Sequence, residues 1–166
     1  MQVRRPNVLW IIADALRADR LHCYGNHWPT SPVLDRVARE GVLFKRCIAH
    51  SGHTLPCVVS ALTGLDPMTH GLRDPRTHSR HSWGEWKTPL ERIEHEGYTV
   101  AGADDWIYFH LGRRARPRNV AELEAYIDEH RNGPFFVWLI PDHCHLPYDP
   151  PPPYDLSLIH ISEPTR

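Results

Sequence analysis

Three short apolar runs stand at wide intervals along the chain, and acidic or histidine residues follow each of them within a residue or two. Residues 7–13 (Asn7-Val8-Leu9-Trp10-Ile11-Ile12-Ala13), 98–103 and 135–140 (Phe135-Phe136-Val137-Trp138-Leu139-Ile140) are continuous rather than alternating. That pattern predicts strands buried on both faces of a parallel sheet. Helical patterns lie between them. Ser31 as cap, Pro32 at the first helical position, apolar Val33, Leu34, Val37 and Ala38 on one face and Gly41 as a stop predict a helix. A segment of alternating character, residues 42–48, predicts a further strand. Thr88 caps a helix that runs to about Glu96 and ends at Gly97, and residues 120–131 form an amphipathic helix broken by Gly133-Pro134. Strands alternating with helices imply right-handed crossovers, so the expected fold class is α/β, three layers α/β/α around a mostly parallel sheet.

One helical stretch is different. In residues 51–64, Ser-Gly-His-Thr-Leu-Pro-Cys-Val-Val-Ser-Ala-Leu-Thr-Gly, Thr54 precedes Pro56 by two positions and Gly64 closes a run of small apolar residues. The pattern reads as an N-cap at Thr54, a helix start and a C-terminal stop. A hydroxyl there lies beside unpaired backbone N–H groups and the positive end of a helix dipole, where a phosphate or sulfate group would settle. Hydroxyl caps far outnumber nucleophilic hydroxyls, so the stretch alone favours a cap and leaves a nucleophile open. The strand ends add chemistry. Asp14 follows the first run, Asp104-Asp105 the second, and Asp142, His143 and His145 the third. In open α/β sheets ligands bind outside the carboxyl ends of the strands, so this convergence favours a metal or phosphate-type site.

Composition narrows the class only a little. A net charge of -1 gives no field that would draw nucleic acid or a membrane surface. The first apolar run is stopped by Asp14, too early for a membrane span or a signal-peptide core. Cys23, Cys47, Cys57 and Cys144 make no close pair, so cytoplasmic localisation is the default expectation. Residues 73–86 are polar and rich in His and Arg without periodicity, which predicts a loop whose basic groups could help hold an anion. Residues 156–166 match no element, read as the translation of a sequencing-library adapter, and are set aside from fold reasoning.

Several motifs, taken in order, resemble the sulfatase family of the alkaline-phosphatase-like superfamily. Pro6-Asn7-Val8-Leu9 into Asp14-Ala15-Leu16-Arg17-Ala18-Asp19, Cys23-Tyr24-Gly25, Ser31-Pro32-Val33-Leu34-Asp35-Arg36 and Glu40-Gly41-Val42-Leu43-Phe44 look like its N-terminal signature. Thr54-Leu55-Pro56 through Leu62-Thr63-Gly64, and Pro67 to His70-Gly71, look like its nucleophile helix and the turn after it. Gly97-Tyr98-Thr99 and Pro134-Phe135-Phe136 leading to His145-Leu146-Pro147-Tyr148 also fit. The resemblance implies that residues 1–155 are the N-terminal part of a catalytic domain whose remaining metal ligands lie beyond them. It also implies a metal-dependent hydrolase of sulfate or phosphate esters acting on a small anionic ester substrate. This chain alone would then have little activity.

The departures shape what is implied. Formylglycine sulfatases carry Cys or Ser, then Pro two places on and Arg four places on; here those places hold Thr54, Pro56 and Val58. Thr54 cannot become formylglycine and instead resembles the direct Thr nucleophile of the superfamily's phosphodiesterases, phosphonate hydrolases and phosphoethanolamine transferases. Ala15 replaces a second Asp and weakens a calcium site. The implied roles are Thr54 and His145 as catalytic groups, and Arg17, His110 and Asp104 as substrate-binding groups. Asp14 and Thr54 would be ligands of a divalent cation, Ca, Mn or Zn. Asp105 and His143 have no assigned motif. A phosphoethanolamine-type transferase and a non-catalytic binding domain are the alternative readings.

Overall fold

The computed structural model describes residues 5–73, 89–103, 120–141 and 144–145. The caps, loops and tail predicted at Thr88, residues 74–86, Asp104, Asp105, His110, Asp142, His143 and residues 156–166 lie outside these described residues. The chain divides into two compact units, one of residues 1–12 and 46–140, the other of residues 13–45 and 141–166.

The first unit carries the sheet. Strands β1 (Val8–Ile11), β2 (Thr99–Ala103) and β3 (Phe135–Leu139) lie in the order β1-β3-β2. Both pairings are parallel, with Trp10 opposite Trp138 and Ala101 opposite Val137. Side chains alternate across a strand, so β3 serves two layers. Phe136, Trp138 and Ile140 pack with Trp10, Ile12 and Val100 against Val58 and Leu62 of helix α2 (Thr54–Thr63) and Leu90 of helix α4 (Pro89–His95). Phe135, Val137 and Leu139 pack with Ala101 against Leu123, Tyr126 and Ile127 of helix α5 (Val120–His130). Three layers, α2 and α4, the sheet, and α5, are thus observed as expected. Helix α3 (Pro67–His70) stands where a turn was expected, capped by Asp66, whose carboxylate accepts from Met68 N and Thr69 N. Gly97 ends α4 at φ 86°, a left-handed angle that only glycine adopts freely.

The second unit holds helix α1 (Pro32–Glu40) and two 3-10 turns, Ala18–Arg20 and His22–Tyr24. Ser31 occupies the N-cap position, but its hydroxyl does not cap the helix. It donates instead to Asp35 Oδ1 at 2.9 Å and accepts from His22 N at 2.9 Å. α1 therefore meets its own unit through Ser31 and Asp35, and the apolar Val33, Leu34 and Val37 are exposed. No helix among the described residues is long and apolar enough to cross a membrane.

Three expectations need correction. Residues 42–48 form no strand; they gain no ladder partner, and Val42, Phe44 and Ile48 are exposed. β1 is not buried on both faces, because β1 is an edge strand and α5 covers the sheet over β2 and β3: Leu9 is 50% and Ile11 55% exposed. Thr54 is the first residue of α2 rather than its cap; His53 takes the cap position in extended conformation, and its carbonyl accepts from Cys57 N at 3.4 Å.

Burial ranks the consequences of substitution. Trp138 is fully buried at the centre of the sheet, so Trp138→Ala should lower the unfolding free energy by about 3–5 kcal/mol. Ile11→Ala, on the open face of β1, should cost less than about 1 kcal/mol in the same urea titration.

Candidate active site

Thr54 owes its place to the two-sided packing of α2. Leu55 and Val59 enter one buried cluster with Leu72, and Val58 and Leu62 enter the cluster under the sheet. The helix is thereby gripped on two sides, and its polar first residue is left half-buried at the open end. No acidic residue stands in the first turn, so the positive end of the helix dipole is not offset within α2. The approach to the helix is ordered as well. His53 N donates to Ser51 Oγ at 3.2 Å, and Cys57 Sγ lies 2.9 Å from the Ser51 carbonyl. Gly64, at φ 72°, closes the far end, its N–H bonded to the Ser60 carbonyl.

Asp14, of the second unit, comes three residues after the end of β1 and is half-buried. Its carboxylate accepts from Ala15 N at 2.8 Å, and among the described residues Ala15 is the non-glycine residue with positive φ, 60°. An alanine in that region is uncommon and strained by of order 1–3 kcal/mol, so the turn is specified by its surroundings rather than by local preference. Arg17 is exposed, and its guanidinium fork closes on Asp19, Nε to Oδ1 at 2.9 Å and Nη2 to Oδ2 at 2.6 Å. The hydrogen bond and charge of Asp19 push Arg17 further up, and Arg17 draws Asp19 down. Before Arg17 can hold an anion, that fork has to open. His145 is exposed.

The donor set is short of a closed cation site. Among the described residues no three His, Cys, Asp or Glu side chains converge to hold a metal ion. A divalent cation needs several hard oxygen ligands, and Asp14 is the one carboxylate of the predicted set that the described residues include. The described residues thus do not make a complete metal centre. A cavity of about 350 Å³, lined by Val8, Arg92, Ile93, Glu96, Tyr98 and Phe136, involves none of the predicted site residues.

Two polar groupings have no counterpart among the predicted site residues. Ser60, on the buried side of α2, is within 3.0 Å of His70 Nε2, and both residues are buried. The signal was present: a serine among the apolar residues of a helix core needs a buried partner. Asp35 is the second. It accepts from Ser31 Oγ and from Cys23 N, both at 2.9 Å, and so ties the loop after β1 to α1.

An α/β protein with a parallel sheet and an anion-favouring helix start is the class these features define. The chain belongs to the sulfatase family, whose profile matches residues 6–89. It is 31% identical to arylsulfatase H of the dog, Canis lupus familiaris, over 124 residues, covering 69% of this chain and 22% of that protein. The chain thus spans about a fifth of the length of that curated relative. Among solved structures, it is similar to BT4656 in complex with its substrate D-glucosamine-2-N,6-O-disulfate. That match has a TM-score of 0.66 and 20% identity and covers 81% of this chain and 34% of the other. It is also similar to the phosphonate monoester hydrolase of Agrobacterium radiobacter, with a TM-score of 0.61 and 20% identity, covering 91% and 43%. These two likenesses establish the fold.

The Asp35 hub has a pH consequence. Burial pushes its carboxyl up, but the hydrogen bonds from Ser31 and Cys23 outweigh it, and the net shift is downward. A carboxyl lowered in the folded state contributes stability that is full above its unfolded value and is lost as pH falls through the folded one. The thermal midpoint should therefore drop between about pH 5 and pH 3, and Asp35→Asn should flatten that slope. Asp66, lowered first by its bond from Thr69, accounts for part of what remains.

Proposed function

We propose that the chain is the nucleophile-bearing portion of a hydrolase of sulfate or phosphate esters, with Thr54 as the nucleophile. The observation that carries this reading is Thr54 at the first position of α2, a ten-residue helix without an acid in its first turn, in a chain of the sulfatase family. An anionic ester group beside that helix end would meet backbone N–H donors and a favourable dipole. The Thr54 oxygen would attack sulfur or phosphorus, the bond to the ester oxygen would break, and the covalent intermediate would be resolved by water. The Thr54 proton would pass to a solvent water as the new bond forms, and the departing alcohol must gain one. His145 would deliver that second proton.

Asp14 would supply one hard oxygen ligand to a divalent cation. Arg17 would contribute to substrate binding once released from Asp19. His110 and Asp104, outside the described residues, complete the proposed substrate contacts. The activity belongs to an enzyme of the relatives' length, and the 166-residue chain alone should turn over neither an aryl sulfate nor an aryl phosphate.

In a full-length enzyme carrying this segment, Thr54→Ala should reduce turnover of an aryl sulfate and an aryl phosphate by at least about a thousandfold. Thr54→Ser should keep a measurable part of it. Unchanged turnover in the alanine variant would remove Thr54 as nucleophile, and an unmodified enzyme inert towards both esters would favour a binding domain.

A further inference from the structure

His70 takes no part in the chemistry assigned to Thr54, yet it is 2% exposed and both its ring nitrogens are engaged. Leu72 N donates to Nδ1 at 3.2 Å, and a ring nitrogen that accepts carries no proton. The proton therefore sits on Nε2, which donates to Ser60 Oγ at 3.0 Å. Leu72 in turn packs its side chain against Leu55 and Val59. The ring thus holds α2 at two heights, directly at Ser60 and through Leu72 at Leu55, the residue next to Thr54.

We propose that His70 is a positioning residue for Thr54, keying α2 to the loop after α3 so that the Thr54 hydroxyl is held in one place. The role rests on Thr54 being the nucleophile. Among the described residues, two charged or titratable groups act on the ring, Asp66 and His50; α2 contributes the Pro56 carbonyl. A second ring proton would set an N–H donor against the Leu72 N–H and open the hold on that side. Burial holds His70 below the ordinary histidine range. The hold is therefore complete at neutral pH, and its stabilisation is lost as pH falls below the unfolded value of about 6.5.

The test begins on the 166-residue chain. Long-range nitrogen–proton correlation of the His70 ring at neutral pH should show the Nε2–H tautomer; an Nδ1–H or doubly protonated ring would overturn the arrangement. In His70→Leu, amide exchange over residues 55–60 and at Leu72 should rise by about tenfold while α5 stays unchanged. His70→Asn, whose side-chain oxygen can still accept from Leu72 N, should restore most of the protection at Leu72. Unchanged exchange, or an equal rise in α5, would overturn a local hold. In a full-length enzyme, His70→Leu should lower kcat more than it raises KM, and His70→Asn should recover part of kcat; equal kcat in all three overturns the positioning role. Full activity of Thr54→Ala would remove the nucleophile, and with it this role, while leaving the exchange results standing, so the two failures are separable.

Discussion

β3 is the constraint on which the sheet depends. It is the strand paired on both edges, with β1 on one side and β2 on the other. Its side chains also form the floor of both helical layers, Phe136 and Trp138 towards α2 and α4, Phe135 and Val137 towards α5. Interiors packed to crystal-like density transmit small changes in shape, so the position of α2 is inherited from the seat that Trp138 provides. The candidate site is in this sense built outward from a tryptophan that has no chemistry of its own.

α2 shows how a helix can be fixed tightly while one end stays polar. Ten residues without a charge give it apolar contacts on two sides, which settle its depth but tolerate some rotation and sliding. Directional bonds remove that tolerance. The Ser60–His70 pair supplies one on the buried side, and Gly64 fixes the far end by its left-handed turn. An unpaired polar group at either Ser60 or His70 would cost about 1–3 kcal/mol, so each makes the other's burial tolerable.

The elements with two-sided or strongly punctuated patterns were legible in the sequence. β3, α2 and α5 have the periods and stops that their environments demand, and the three layers follow from their order. What failed has a common cause: pattern reports that a face is apolar, not that anything covers it. Residues 42–48 alternate but find no ladder, and β1 is continuous in sequence yet half open in the fold. Ser31 stands at the cap position but spends its hydroxyl on Asp35, whose carboxylate also accepts from Cys23 N, twelve residues earlier in the chain than Asp35. Of the predicted site, Asp14 and Thr54 fall at the ends of elements, as strand and helix signals indicated. The Arg17–Asp19 fork is a local pairing that spacing alone does not reveal.

Ala15 has a left-handed backbone that its own side chain does not favour. Asn, Asp and Gly enter that region far more readily than alanine does. Strain is thus stored at residue 15, and the Asp14 carboxylate on the Ala15 N–H is one of the bonds that hold it there.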